Sequence, residues 1–197
     1  LTLTKDQQAA LRVTGDTTVV YGKTLQLGAE GGSGTGAVTY AVTGGTGDAT
    51  IDGDGVLTPA RVGTVKVTAT MAGDVDFDPI TSAEVEITIT QATPTGEPKY
   101  TKITTGGRTL DDAKLTTVGS TLLPAEGTLE WIDDAGNVLP GNTRVESGKT
   151  YKWRFTPTDS NYTSLTGEIR LYRNSGSGLP GSFTIQATAG ENGSVTP

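Results

Sequence analysis

GTVKVTATMAGDVDFDP runs from Gly63 to Pro79, and its first half decides the fold. Val65, Val67, Ala69 and Met71 alternate with Lys66, Thr68 and Thr70, the period of two expected of a half-buried strand. Its second half, GDVDFDP, places Asp74, Asp76 and Asp78 around Phe77, which reads either as a calcium loop or as an acidic structural corner. A similar unit recurs as TYKWRFTPTDSNYTS, Thr150 to Ser164, where Tyr151, Trp153 and Phe155 alternate with Lys152 and Arg154 before Asp159 and Tyr162. The alternation extends to KTLQLGA, AVTYAV and AEVEITI, and GAEGGSGTG, TGGTGDA and DGDG lie between as turn-rich stretches. Short strands at such spacing predict an all-β chain of antiparallel sandwich type.

Matching the two units gives an internal repeat. GTLEWI at Gly127–Ile132 stands against GAVTYA at Gly36–Ala41, and GEIRLY against AEVEITI. Asp74 to Phe77 and Asp159 to Tyr162 are each three residues apart, and Gly63 to Asp74 equals Gly148 to Asp159. The inward parity slips by one between Val65 and Tyr151, which predicts an inserted residue or a bulge in one copy. The expected organisation is module 1 at 1–92, a proline-containing linker at 93–98, module 2 at 99–173, a second linker at 174–182 and the start of a third repeat at 183–197. The aromatic core of module 2 is expected to be Trp131, Tyr151, Trp153, Phe155 and Tyr162; that of module 1 is mainly aliphatic, with Tyr40 and Phe77.

Composition narrows the chemistry. The 197 residues include no cysteine and no histidine, which removes disulfides, thiolate nucleophiles, the usual general base and the commonest metal ligand. Carboxylate chemistry and oxygen coordination of a hard cation remain. A formal charge of -7 without a basic patch argues against nucleic acid as a partner. The longest apolar run is far too short for a membrane span, so no membrane insertion is expected. Threonine, at roughly one residue in five, and glycine favour strands and turns over helices.

The run VYGKTLQLGAEGGSGTGAVTYAVTGGTGDATIDGDGVLTPARVGTVKVTATMAGDVDFDPITSAEVEITI resembles the bacterial immunoglobulin-like repeats (Big and MBG types) of cell-surface proteins. GTLEW and SGKTYKWRFTPTDSNYTSLTGEI look like a related repeat, and IQATAGENGSVTP is similar to the start of an internalin-like B-repeat. The likeness covers residues 9–92 and 99–173. It implies two tandem immunoglobulin-like Greek-key β-sandwich modules of an extracellular protein, cell-surface or secreted, acting as a non-catalytic spacer that supports adhesion. It does not imply a catalytic residue; no enzyme activity and no cofactor are expected, apart from the calcium that the aspartates themselves suggest. The expected partners are a host protein or glycan, or only neighbouring modules of the same chain, and the expected state is a monomer.

Three candidate sites follow from the residues. Asp74, Asp76 and Asp78 point the same way if extended and could hold calcium, with Asp52 and Asp54 of IDGDG adding oxygens. The second copy keeps only Asp159 and the aromatic, so the shared pair reads as fold: aspartate accepts backbone N–H bonds while the ring enters the core. The stripe Tyr151, Trp153, Phe155 could stack sugars, but Lys152 and Arg154 on the other face predict that it is buried. Tyr100, Trp131 and Tyr172 are free to be exposed. Paired glutamates for glycoside hydrolysis would need a cleft, and Glu84 and Glu86 are expected to face solvent.

Overall fold

A computed structural model describes residues 4–104 and 106–173; the described residues form strands, turns and bends, with no helix among them. The expected linker 174–182 and the partial third repeat 183–197 lie outside the described residues.

The N-terminal half contains β1 (Leu11–Thr14), β2 (Thr18–Val20), β3 (Leu25–Gln26), β4 (Gly28–Gly31), β5 (Val38–Gly45), β6 (Asp48–Ile51), β7 (Val56–Arg61), β8 (Gly63–Met71), β9 (Ile80–Thr81) and β10 (Val85–Thr90). β5, β8 and β10 pair antiparallel, β2 extends the sheet by running parallel to β10, and β9 pairs with the end of β8. β3, β7 and β6 form an antiparallel group, and β1 pairs with β4. Leu27, between β3 and β4, donates its N–H to Gly55 O at 2.9 Å, so the two short strands continue along one line of chain. One core joins both sets: Val13, Leu27, Ala49 and Leu57 pack with Val19, Val65, Val67, Ala69, Ile87 and Ile89. The inward series Val65, Val67, Ala69 is fully buried, as its alternation predicts. Each large aliphatic among these contributes about 1.5–3 kcal/mol by leaving water.

Ser82 interrupts the edge between β9 and β10. Its N–H donates to Ala69 O at 2.8 Å, and its hydroxyl accepts the Ala69 N–H at 3.0 Å while donating to Ala83 O. A buried serine thus replaces a missing ladder partner, and the backbone of β8 stays satisfied where the edge strand breaks.

The C-terminal half contains β11 (Lys99–Tyr100), β12 (Leu115–Thr116), β13 (Gly127–Ile132), β14 (Thr150–Pro157) and β15 (Leu165–Arg170). β13, β14 and β15 form an antiparallel sheet, and β11 pairs with β12. Its core is separate and aromatic: Trp131, Tyr151, Trp153 and Phe155 pack with Ile103, Leu110, Leu122 and Leu171. The polar tips find partners, with Trp131 Nε1 donating to Ala113 O at 3.1 Å and Tyr151 Oη accepting the Glu146 N–H at 2.9 Å. Gly167 stands opposite Trp153, and a Cβ there would lie 2.3 Å from the indole. The glycine is therefore the space into which the ring packs.

Three expectations can be followed into the structure. Trp131, expected in the aromatic core although its position left exposure open, is 7% exposed and part of the core. Residues 93–98, the expected proline-containing linker, are bonded to the C-terminal half. Thr95 exchanges backbone hydrogen bonds with Leu123, Thr121 donates its N–H to Glu97 O, and Pro94 is fully buried. The parity slip is real, and its source is local. Strand pairing matches Val67, Ala69 and Met71 with Tyr151, Trp153 and Phe155, since Tyr40 and Trp131 stand opposite Ala69 and Trp153 while Ile80 and Leu165 stand opposite Met71 and Phe155. Asp74 follows Met71 by three residues whereas Asp159 follows Phe155 by four, so the extra residue lies in the second corner, within 156–158. A Cβ on Gly73 would meet Phe77 O at 2.8 Å and Pro79 N at 3.0 Å, so the loop closes tightly over a residue without a side chain.

Candidate functional site

The two corners have the same construction. Asp74 Oδ1 accepts the N–H groups of Asp76 and Phe77, each at 2.9 Å, and Asp74 N–H donates to Phe77 O at 3.0 Å. In the second corner Asp159 Oδ1 accepts the Asn161 N–H at 2.9 Å and Asp159 O accepts the Tyr162 N–H at 3.1 Å. Aspartate closes both turns, as its side chain commonly does. Asp74 is further engaged. Its Oδ2 accepts the Thr35 N–H at 2.7 Å, and this bond, followed by those from Asp76 and Phe77, holds its carboxyl below the ordinary range.

Both oxygens of Asp74 are thus occupied by backbone donors. Asp76 and Asp78 enter the bonding of the loop through their main chain, each as both donor and acceptor. Asp52, the other candidate oxygen source, spends Oδ1 on the N–H groups of Asp54 and Val56 across the β6–β7 turn. Asp133 does the same for Ala135 and Asn137, so the IDGDG turn has a structural twin. Among the described residues no group of three or more acidic side chains converges on a common point.

The aromatic residue of each corner does not enter the core as expected. Phe77 and Tyr162 are half-buried and belong to neither core. The reason is that each corner carries an incoming strand of chain on its outside. At the first corner Asp6 N–H donates to Asp76 O at 2.8 Å and Asp78 N–H donates to Asp6 O at 3.0 Å, a one-residue parallel bridge between Asp6 and Phe77. At the second, Ala92 N–H donates to Asn161 O at 3.0 Å and Thr163 N–H donates to Ala92 O at 2.9 Å, the same bridge between Ala92 and Tyr162. Residues two positions further on complete the match. Gln8, a buried polar side chain, donates to Asp78 O at 2.7 Å and accepts from Ser33 and Gly34, and Pro94 occupies the corresponding place.

The second corner also touches the N-terminal half. Asn161 Oδ1 accepts the Val62 N–H at 2.9 Å, and the Tyr162 ring meets Tyr21 edge-on at 5.6 Å and 79°. Gln91, the single residue between β10 and the Ala92 bridge, donates through Nε2 to Ser160 O and Tyr162 O at 2.9 and 3.1 Å. Residues Gln91, Asn161 and Tyr162 therefore form a joint. The repeat in the sequence pointed to both loops but not to their partners, because a loop-to-pole contact leaves no periodicity.

The remaining candidates are engaged elsewhere. Tyr151, Trp153 and Phe155 are buried, Tyr100 is half-buried, and Tyr172 is 60% exposed beside Arg170. Lys66 lies 3.0 Å from Glu84, and its hydrogen bond, followed by that from Thr43, holds the Glu84 carboxyl below the ordinary range. The Lys149 hydrogen bond does the same to Glu146. These shifts run opposite to the raised value a general acid needs. Glu130 pairs with Arg154 at 2.7 Å. A polar groove between Asp133, Asp134, Glu146, Lys149 and Lys152 holds two more exposed ion pairs, which carry little energy. No family model and no curated protein matches the chain.

Proposed function

We propose that the two halves are tandem immunoglobulin-like sandwiches and that the chain is a non-catalytic structural spacer of an extracellular bacterial surface or secreted protein. The pairing supports the first point. β1–β4, β3–β7 and β7–β6 reproduce the A-B-E-D order with strand B interrupted at Leu27, and β2, β10, β8 and β5 give A′-G-F-C. β13, β14 and β15 repeat the C-F-G part in the second half.

The observation that carries the spacer reading is the joint. Only Gln91 separates the last strand of the first half from chain bonded to the second, and its side chain is itself tied across. A connector with no slack, an edge-on aromatic pair worth about 0.5–1.5 kcal/mol and an Asn161–Val62 bond worth about as much restrain bending. Limited bending is what a spacer needs to hold a distant binding unit away from its anchor. A glycan platform on the Tyr151–Phe155 stripe loses its residues to the core.

The absence of native cysteine makes a clean test available. Spin labels at Glu86→Cys and Glu168→Cys, exposed strand positions one in each half, should give a single narrow distance distribution. Adding Asn161→Ala and Tyr162→Ala should broaden it. A broad distribution in the otherwise unchanged chain would overturn the spacer reading.

A further inference from the structure

Two sheet edges hold equivalent places in the two halves, and only one is covered. Tyr40 on β5 and Trp131 on β13 stand opposite Ala69 and Trp153 of the strands they pair with. Trp131 O accepts the Leu139 N–H at 2.8 Å, because the chain after β13 folds back along that edge, and Glu130 places a charge beside it. β5 has no such cover among the described residues, and β8 is its only ladder partner. Ala69 commits its N–H and C=O to Ser82 on the far side of β8, so the main-chain groups of Tyr40 opposite it point away from the sheet. Alternation turns those of Val38 and Val42 the same way, and none of these residues makes a main-chain bond on that side among the described hydrogen bonds. Open edges usually carry a lysine, a proline or a bulge that blocks further pairing. Val38 to Val42 reads VTYAV and has none of these, since the irregularity of β5 comes only after Val42.

We propose that β5 pairs antiparallel with β5 of a second copy of the chain about a two-fold axis at Tyr40, in place of the monomer expected from the sequence. The order of side chains selects this occupant. Read outward from Tyr40 in either direction, the strand places a small residue and then a valine, so the two-fold sets Val38 against Val42 of the copy and Thr39 against Ala41 of the copy. The N–H and C=O of Tyr40 exchange with those of Tyr40 of the copy, and Val38 exchanges with Val42 of the copy, which satisfies the open groups of this stretch. Thr39 and Ala41, flanked on β8 by Thr70 and Thr68, bring no like charges together across the axis. The two-fold closes the contact at two chains, and the sheets of both copies continue as one. The contact is small beside a standard interface, so the dimer forms in a concentration-dependent equilibrium. It uses no residue of the joint and goes beyond the spacer reading, whose own test is the distance across that joint.

The chain has no native cysteine, so the register can be tested directly. Thr39 and Ala41 are exposed and stand opposite each other across the axis as a non-hydrogen-bonded pair, the kind with Cα atoms about 4.5 Å apart, which a disulfide can bridge. Full chains carrying Thr39→Cys and Ala41→Cys, mixed under oxidised glutathione, should give a cross-linked dimer of one of each, in a yield that neither variant reaches alone. Sedimentation of uncross-linked protein supplies the second arm. The parent should dimerise as its concentration rises, and chains carrying Thr39→Lys with Ala41→Lys, or Thr39→Glu with Ala41→Glu, should each lose the dimer. Mixing the lysine and glutamate forms should restore it, because each lysine then faces a glutamate of the other chain. A parent that stays monomeric at millimolar concentration overturns the pairing, whatever other strand the edge accepts. Self-association that survives both charged forms overturns it too, as does a mixture of the cysteine variants that cross-links no better than either alone.

Discussion

The corner at Asp74–Asp78 and the corner at Asp159–Thr163 share a backbone and differ in what their side chains do. Both close on an aspartate and both hold an incoming segment by one parallel bridge. In the first, the carboxylate reaches outward to Thr35 and Gly73 lets the loop close tightly; in the second, Asn161 and Tyr162 reach across to the other half. The difference teaches that the conserved geometry within this chain is the clamp on the backbone. The side chains around it decide whether the clamp is a local fastening or a joint between bodies.

The largest effects lie beneath the corners, where the two halves use different cores. Trp153→Ala should destabilise the C-terminal half by about 3–5 kcal/mol, since it empties the site of a ring that is 3% exposed. Both tryptophans lie in that half, so the remaining Trp131 fluorescence follows its denaturant transition alone. Amide exchange of Val65 and Ile87 should show the N-terminal half unaffected by more than the loss of the joint. Parallel collapse of both halves would show that the cores are not separate.

Gly73→Ala sharpens the contrast between the loops. A methyl group close to Phe77 O and Pro79 N must displace backbone, at a cost of about 1–3 kcal/mol to the N-terminal half. The second corner has one residue more between its strand and its aspartate and no glycine there. A neutral result would show that the first loop does not depend on the missing side chain.

Asn161→Ala should cost about 0.5–1.5 kcal/mol and release the Val62 amide, whereas Asn161→Asp keeps an acceptor and should restore its protection. At the first corner the informative variable is pH. Hydrogen bonds from Thr35, Asp76 and Phe77 depress the Asp74 pKa in the folded chain, so its contribution is present above the unfolded value and is lost as pH falls through the folded one. Stability of the N-terminal half should therefore decline below about pH 4, and Asp74→Asn should flatten that decline. Identical acid profiles for the two proteins would remove Asp74 from the clamp.

The smallest effect concerns calcium. With Asp74 committed to backbone donors, millimolar calcium or a chelator should leave the melting temperature unchanged. A calcium-dependent rise that disappears in Asp76→Asn would return the loop to the cation reading.

Much of the fold was legible because strand burial writes itself as a period of two. Val65, Val67 and Ala69, and Tyr151, Trp153 and Phe155, are buried in the order their alternation predicts. The turn at IDGDG was equally readable from Asp52 and its glycines, and the capping role of Asp74 followed from comparing the copies. The fate of Phe77 and Tyr162 was not. An aromatic at a strand entrance has the same sequence signature whether it turns into its own core or toward another body, and only the path of the incoming chain distinguishes the two. The bonding of residues 93–98 to the C-terminal half left no mark for a related reason: prolines suppress the strand pattern, but Thr95 and Glu97 still use their main-chain groups.

The most direct measurement is residue-resolved hydrogen exchange of the Val62 amide, whose only partner among the described hydrogen bonds lies in the other half. If the second corner clamps the two halves into one stiff unit, this amide is protected in the parent chain and exposed in Asn161→Ala, while Val65 in the neighbouring strand is unchanged. Exchange of Val62 at the same fast rate in both proteins would contradict the joint.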